Sequence, residues 1–316
     1  MQNIETQLRE LAKKLLDEKK FDLVIGYEKG TLPLRSRPVF IREAADTDKL
    51  VWNSSCENNL AVYLKTAKGK VAIVAKGCDS RSVVGLLTEK QIERDNIFVV
   101  GVPCEGIIDR KKVEDLLQGR EVLESTETDS QIILKGNGFE EKVEKDKLLS
   151  ESCKRCRHRN PVISDELVGQ EAAELKVDEY AEVKEFESKS ADERWEYFSG
   201  QASNCIRCYA CRNACPSCYC PVCFVDQGMP GWFSKTPHPS DTLIFHIMRA
   251  MHTTGRCVDC GACSRACPMN VDIRQLTKKA EKNIKESYDH EVGISVDEPP
   301  PLAAFKPDDP QEFMKE

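Results

Sequence analysis

Two apolar runs of strand length frame the clearest unit in the chain. KVAIVAKG at Lys70–Gly77 and NIFVVGVP at Asn96–Pro103 are continuous hydrophobic stretches. Such runs predict strands covered on both faces. Between them a helical pattern runs from Ser80 to about Arg94, with Asp79 or Ser80 placed to cap it. This predicts a βαβ unit with parallel strands and a right-handed crossover. Upstream, Glu5–Lys19 has the spacing of an amphipathic helix. FDLVIG at Phe21–Gly26 reads as a strand, VFIRE at Val39–Glu43 as a short strand, and Asn58–Thr66 as helical. EVLES at Glu121–Ser125 and QIILKG at Gln131–Gly136 are candidate peripheral strands. The first half is expected to be an α/β domain.

The pattern then changes. Glu151–Gly169 is a cysteine-bearing loop, and Glu171–Gly200, rich in Glu, Lys and Ala, predicts solvent-facing connector helices. SDTLIFHIMRAMHTTG, Ser240–Gly255, sets Leu243, Ile244, Ile247, Met248 and Met251 at helical spacing, with Ser240 as cap and Gly255 as stop. His246 and His252 on this helix read as packing or surface residues. The expected organisation is an α/β domain over 1–169, a helical connector over 170–200, a mostly α-helical domain over 201–286 and a proline-rich acidic tail over 287–316. In that tail Leu302, Phe305 and Phe313 read equally well as part of a disordered segment or as anchors on a partner subunit.

Composition narrows the class. Hydrophobic residues at 40% and charged residues at 31% suit a soluble globular chain of 316 residues. No apolar run is long enough for a membrane span, and the charged N-terminal helix lacks the features of a signal peptide. Direct membrane insertion is not expected, and the cytoplasm is the expected location. A net charge of −7 argues against a nucleic-acid partner, because phosphate binding needs a basic face. Sixteen cysteines in a long chain without a leader point to metal binding rather than to a disulfide scaffold.

Two runs carry that chemistry. Cys205-x2-Cys208-x2-Cys211-x3-Cys215-Pro216 and Cys257-x2-Cys260-x2-Cys263-x3-Cys267-Pro268 both match the bacterial ligand pattern for [4Fe–4S] clusters. Two-residue gaps let three thiolates cap three corners of one cubane, and the fourth cysteine serves the other cluster. Cys205, Cys208, Cys211 and Cys267 are expected to hold one cluster, and Cys257, Cys260, Cys263 and Cys215 the second. Zinc sites present ligands in pairs rather than as a triplet plus one before proline. The stretch from about Asn204 to Leu276 resembles the α-helical ferredoxins of the heterodisulfide reductase small subunit and the succinate dehydrogenase iron–sulfur subunit.

Cys78 and Cys104 follow the two parallel strands and emerge at their C-terminal edge, where open α/β sheets place ligands. Cys153-x2-Cys156 can complete a four-thiolate site there. Unliganded buried cysteines at 78 and 104, with a zinc knuckle at 153 and 156, are the alternative. GKVAIVAKGCDSRSV, IFVVGVPCEG and SCKRCRHRNPVISDELVG resemble signatures of the beta subunit of deazaflavin-coenzyme-dependent hydrogenases and formate dehydrogenases. The resemblance covers roughly Phe21–Gly169. It implies a third [4Fe–4S] cluster on Cys78, Cys104, Cys153 and Cys156, beside an FAD. The chain departs from that family in two places. QNIETQLRELAKKLL has no glycine where the family has a glycine-rich start, and SSCENN at Ser54–Asn59 replaces a proline-containing turn.

Four cysteines remain: Cys56, Cys218, Cys220 and Cys223. They form a candidate fourth site, for a cluster or for zinc, with Cys56 reaching across a domain interface. The function expected is an iron–sulfur electron-transfer subunit of an anaerobic multi-subunit oxidoreductase of hydrogenase, formate dehydrogenase or heterodisulfide-reductase type. Its partners would be the other subunits. No acid–base pair or nucleophile stands out. The alternative is an FAD-containing subunit exchanging a hydride with a deazaflavin or nicotinamide coenzyme. A redox-sensing or structural iron–sulfur protein is a third reading.

Overall fold

The structure, a computed structural model, describes residues 2–231 and 234–301. Leu302, Phe305 and Phe313 of the tail lie outside the described residues. The first helix, α1 (Gln2–Asp17), buries Leu8, Leu11, Ala12, Leu15 and Leu16. That spacing puts one apolar stripe on the sheet and leaves the charged side chains in water. The sheet contains β1 (Leu23–Lys29), β2 (Ser36–Ile41), β3 (Val71–Ala75), β4 (Ile97–Gly101) and a two-residue strand at Glu166–Leu167. In spatial order it runs β2, β1, β3, β4, Glu166–Leu167. β2 is antiparallel to β1, and the other pairings are parallel. Every residue of β3 is buried, as its unbroken apolar run requires. A separate antiparallel sheet is built from Glu124–Glu127, Gln131–Gly136 and Phe139–Glu144.

The βαβ unit is present, with α2 (Gly77–Thr88) as its crossover. The helix begins earlier and ends earlier than the sequence pattern predicts. Asp79 occupies the third helical position rather than the cap, and its carboxylate accepts the Lys76 backbone N–H at 3.1 Å. Cys78 therefore sits in the first turn of α2, not in a loop before it. Asn58–Thr66 is helical only as a 3₁₀ turn over Leu60–Tyr63.

Beyond the sheets the described chain is mainly helical, with α3 (Ala181–Glu187), α4 (Ala191–Ser203), α5 (Ala210–Asn213), α6 (Pro239–Thr253), α7 (Ala262–Arg265) and α8 (Arg274–Tyr288). His238 caps α6, its side chain accepting from the Ser240 N–H at 3.4 Å, and Pro239 takes the first helical position. The Ser240 cap expected from sequence is displaced because proline needs no backbone acceptor there. α6 also buries a different face from the expected one. Thr242, Phe245, His246, Arg249, Ala250 and Thr253 point inward, while Ile244, Ile247, Met248 and Met251 are exposed. The connector is anchored rather than solvent-facing along its whole length: Val183 is buried, and Glu179 and Glu182 pair with Lys278 and Arg274 of α8.

No helix among the described residues is long and apolar enough to cross a membrane.

Candidate metal centre

Register fixes the first group of thiols. Ala75 of β3 pairs with Gly101 of β4, so both strands end level at one edge. Cys78 and Cys104 leave from that edge. The chain carrying Cys153 and Cys156 then returns beside β4: Val168 N–H reaches Gly101 O at 2.8 Å, and Cys104 N–H reaches Arg159 O at 2.9 Å. Gly77 makes the return possible, because a Cβ there would lie 2.0 Å from His158 O. Cys104 is pushed up to about 12, first by burial and then by Cys153, with Cys156 adding. Cys156 is pushed up to about 11 by burial and by Cys153. Cys78 is raised well above the usual thiol range, chiefly by burial, and Cys104 is among its charged neighbours. The structure thus gathers Cys78, Cys104, Cys153 and Cys156 at the sheet edge.

The two ferredoxin-like runs share one backbone. Arg207 and Asp259 follow their first cysteines by two residues and take φ of 57° and 53°. Tyr209 and Gly261 take φ of 60° and 70°, and a four-residue helix follows each. A left-handed conformation is costly for a side-chain-bearing residue and persists where surroundings enforce it. Arg274 grips Asp259 with two hydrogen bonds of 2.7 and 2.9 Å. Arg207 lies over the rings of Tyr209 and Phe245 and gives Nη1 to Asp241 O at 2.8 Å. The turned loops aim backbone N–H groups at sulfur: Arg207 N to Cys205 Sγ and Asp259 N to Cys257 Sγ, both at 3.4 Å. Val271 N reaches Cys267 Sγ at 3.3 Å.

Cys215 lines one pocket with Cys257, Cys260 and Cys263, the juxtaposition that a crossed fourth ligand requires. Cys267 is among the groups that raise Cys205 and Cys211. Burial is the first cause of the raised pKa at Cys205, Cys211, Cys257, Cys260 and Cys263, bringing Cys211 to about 11 and Cys260 to about 12. The three groups are also neighbours of one another. Cys78 faces Cys260 across the two halves, and Cys211 faces Cys263. Gly261 packs so closely on Ser152 that a Cβ would lie 2.4 Å from its Oγ.

Buried cations line these groups. Arg249 of α6 donates Nη2 to Cys211 O at 3.1 Å, while its Nε and Nη1 are buried without a hydrogen-bond partner. It shares one pocket wall with Cys215, Cys257, Cys260 and Cys263 and another with Cys218. Arg265 has the same pair of unpartnered nitrogens and faces Cys153, Cys260 and Cys78. Lys76, buried between Tyr27 and Asp79, has Cys78 and Cys104 among its neighbours. Buried donors without acceptors are costly. An anionic thiolate–iron core would satisfy them and neutralise the crowding of the thiols, so these residues fit such a group. Among the described residues, no three or more His, Cys, Asp or Glu stand close enough to hold a single metal ion.

His246 is buried with both ring nitrogens unpartnered and is lowered to about 4 by burial and then by Arg249 and Arg207, hence neutral. His252 is exposed.

Cys56 does not join the other leftover cysteines. It is fully buried in the α/β core, and its sulfur donates to Val51 O and Asn53 Oδ1 at 3.9 Å. The interdomain reach expected from the loop WNSSCENN is not seen, because the loop turns Cys56 into the core cluster of the α/β half. Cys218 instead lies against Cys215.

Beside Cys104 is a cavity of about 530 Å³. It has six carboxylate residues in its wall, among them Glu105, Glu127 and Asp129, against two basic ones, Lys145 and Arg159. Lys145 is already paired with Glu127 at 2.7 Å. A dinucleotide pyrophosphate needs positive charge or a helix N-terminus. Arg159 keeps a buried Nε without a hydrogen-bond partner, so this wall offers an anion one unpaired cation against six carboxylate residues and suits the FAD pyrophosphate poorly.

The fold and site thus define an α/β chain with a helical second half and grouped cysteines. Its relatives are redox subunits. The chain is 25% identical over 352 residues to the F420-dependent formate dehydrogenase subunit beta of Methanocaldococcus jannaschii, covering 92% of each chain. It is 23% identical over 368 residues to the F420-dependent formate dehydrogenase 1 subunit beta of Methanococcus maripaludis, covering 94% of this chain and 92% of that one. Among solved structures, a chain from the xenon-derivatised F420-reducing [NiFe] hydrogenase complex of Methanosarcina barkeri matches with a TM-score of 0.38 and 20% identity. That match covers 48% of this chain and 58% of the other. No family model matches the chain.

Proposed function

We propose that the chain is an electron-transfer subunit of a multi-subunit oxidoreductase, holding three [4Fe–4S] clusters in a row. The observation that carries this reading is the juxtaposition of the thiol groups. One pocket is lined by Cys215, Cys257, Cys260 and Cys263 together with Arg249, which also donates Nη2 to Cys211 O at 3.1 Å. Gly261, beside Cys260, packs on Ser152, beside Cys153 of the sheet-edge group.

Clusters bound there would supply one-electron transfer. The protein's contribution lies in charge, hydrogen bonding and exclusion of water. Arg249 sits between the two crossed groups and Arg265 between the sheet edge and Cys260, each favouring added negative charge. Backbone N–H groups of Arg207, Asp259 and Val271 stabilise thiolate sulfur in the same way. Cys78, Cys215, Cys257 and Cys260 are half-buried, while Cys208 is exposed at the far end of the row. That exposed end is where a partner subunit would exchange electrons. Relatives named as formate dehydrogenase beta subunits support the oxidoreductase class and the need for partners. The acidic cavity beside Cys104 disfavours the flavin-bearing alternative.

The test is anaerobic purification of the full chain followed by iron, sulfide and EPR analysis. About 12 iron and 12 sulfide per chain, distributed over interacting one-electron centres, is the outcome expected for three cubanes. A colourless protein with bound zinc would reject the reading.

A further inference from the structure

Three cysteines are left outside the row: Cys218, Cys220 and Cys223. They line one cavity of about 470 Å³. Its wall also includes Arg212, Arg249 and Arg256. Opposite them is one carboxylate, Asp226, already engaged by Arg212 at 2.8 Å and Lys235 at 3.1 Å. The cavity is therefore a cationic space faced by three thiols. Arg249, which also borders the crossed groups, adds a third cation to this wall. It is only 3% exposed, and its Nε and Nη1 have no hydrogen-bond partner.

We infer that Cys218, Cys220 and Cys223 hold a fourth [4Fe–4S] cluster in this cavity. A zinc ion is the smaller alternative, but the space far exceeds what one ion and its ligands fill. Three thiols would leave one corner of a cubane without a cysteine, and His252 also lines the cavity.

The position makes the site a branch. Cys218 lies against Cys215, assigned above to the middle group, and Cys211 of the outer group is a further neighbour. On its other side, Tyr219 packs on the α/β core, and Lys65 Nζ donates to the Tyr219 carbonyl. A cluster here would sit beside both crossed groups and against the α/β half, and not across an interface with Cys56. The inference adds to the three-cluster reading and fails separately from it.

The test compares the anaerobically reconstituted full-length chain with its C220S/C223S variant by native mass spectrometry and by iron and sulfide analysis. Cys220 is exposed, Cys223 is half-buried, and neither belongs to the hydrophobic core, so the variant should fold. Circular dichroism checks this. Four cubanes on the wild type and three on the variant are expected, with iron and sulfide falling to about three quarters. Three cubanes on both proteins would overturn this inference and leave the proposed function standing. Loss of one zinc with iron unchanged would also overturn it. A wild type without cubanes would overturn both. A C56S variant serves as control and should keep the wild-type count.

Discussion

Arg265 donates Nη2 to the backbone carbonyl of Glu57 at 2.6 Å, tying the second cysteine loop to the α/β half from within. The same guanidinium faces Cys153, Cys260 and Cys78. Arg265→Gln keeps a polar group but removes the cation and shortens the reach. The urea midpoint of the full chain should fall by the equivalent of about 1–3 kcal/mol, since a buried carbonyl loses its donor. An unchanged midpoint would show that water replaces the contact at no cost.

Cys215→Ser should damage the site built on Cys257, Cys260 and Cys263 and spare the one nearer in sequence. Cys215 is a charged neighbour of all three. EPR of the reduced variant, set beside that of Cys205→Ser, reads out which centre is lost. If the two variants lose the same centre, the crossed assignment is wrong.

Gly77→Ala tests the seat of the sheet-edge group. The added methyl meets His158 O at 2.0 Å, so the segment carrying Cys156 must move. A cost of about 1–3 kcal/mol is expected from overpacking, with selective loss of one cluster's iron. Gly85→Ala, in the same helix with nothing within 4 Å of the new methyl, is the control and should be close to neutral.

Acid stability carries a signature of Glu291. Its hydrogen bond to His158 and its ion pair with Arg157 hold it near 2, against an ordinary value of 4.5. A depressed carboxylate contributes stability that is complete above 4.5 and is lost as pH falls toward 2. Glu291→Gln should therefore lower stability at neutral pH and flatten its decline between about pH 4.5 and 2. Parallel pH profiles for wild type and variant would remove Glu291 from the acid transition.

The two faces of α6 should differ sharply. Phe245→Ala should cost about 3–5 kcal/mol, because the ring is 1% exposed and packs on Tyr209 and His246. Ile247→Ala, at 43% exposed, should cost less than about 1 kcal/mol. Thermal melts of the two variants suffice.

That helix shows where sequence reasoning reaches its limit. Leu243, Ile244, Ile247, Met248 and Met251 form the more apolar stripe, yet most of it faces outward. The inward side was hidden because it carries Arg249 and His246, which look like surface residues until the thiols they face are known. The cysteine spacings were legible because backbone geometry dictates them. The βαβ unit was legible because both its strands are unbroken apolar runs. The start of α2 was misplaced by a short-range effect, the Asp79 carboxylate reaching back to Lys76. Cys56 lies in the core rather than beside the other three, and nothing local in the sequence distinguishes a core cysteine from a ligand. The left-handed Arg207, Tyr209 and Asp259 carry no glycine signal, since side-chain contacts from Phe245 and Arg274 hold them.

The crossed arrangement proposed above would also set an order of assembly. Neither loop would present four thiols until the other had folded, and the sheet-edge group would need β3, β4 and the returning strand in place. Clusters would then enter only after contacts distant in sequence had formed, the kind that form late.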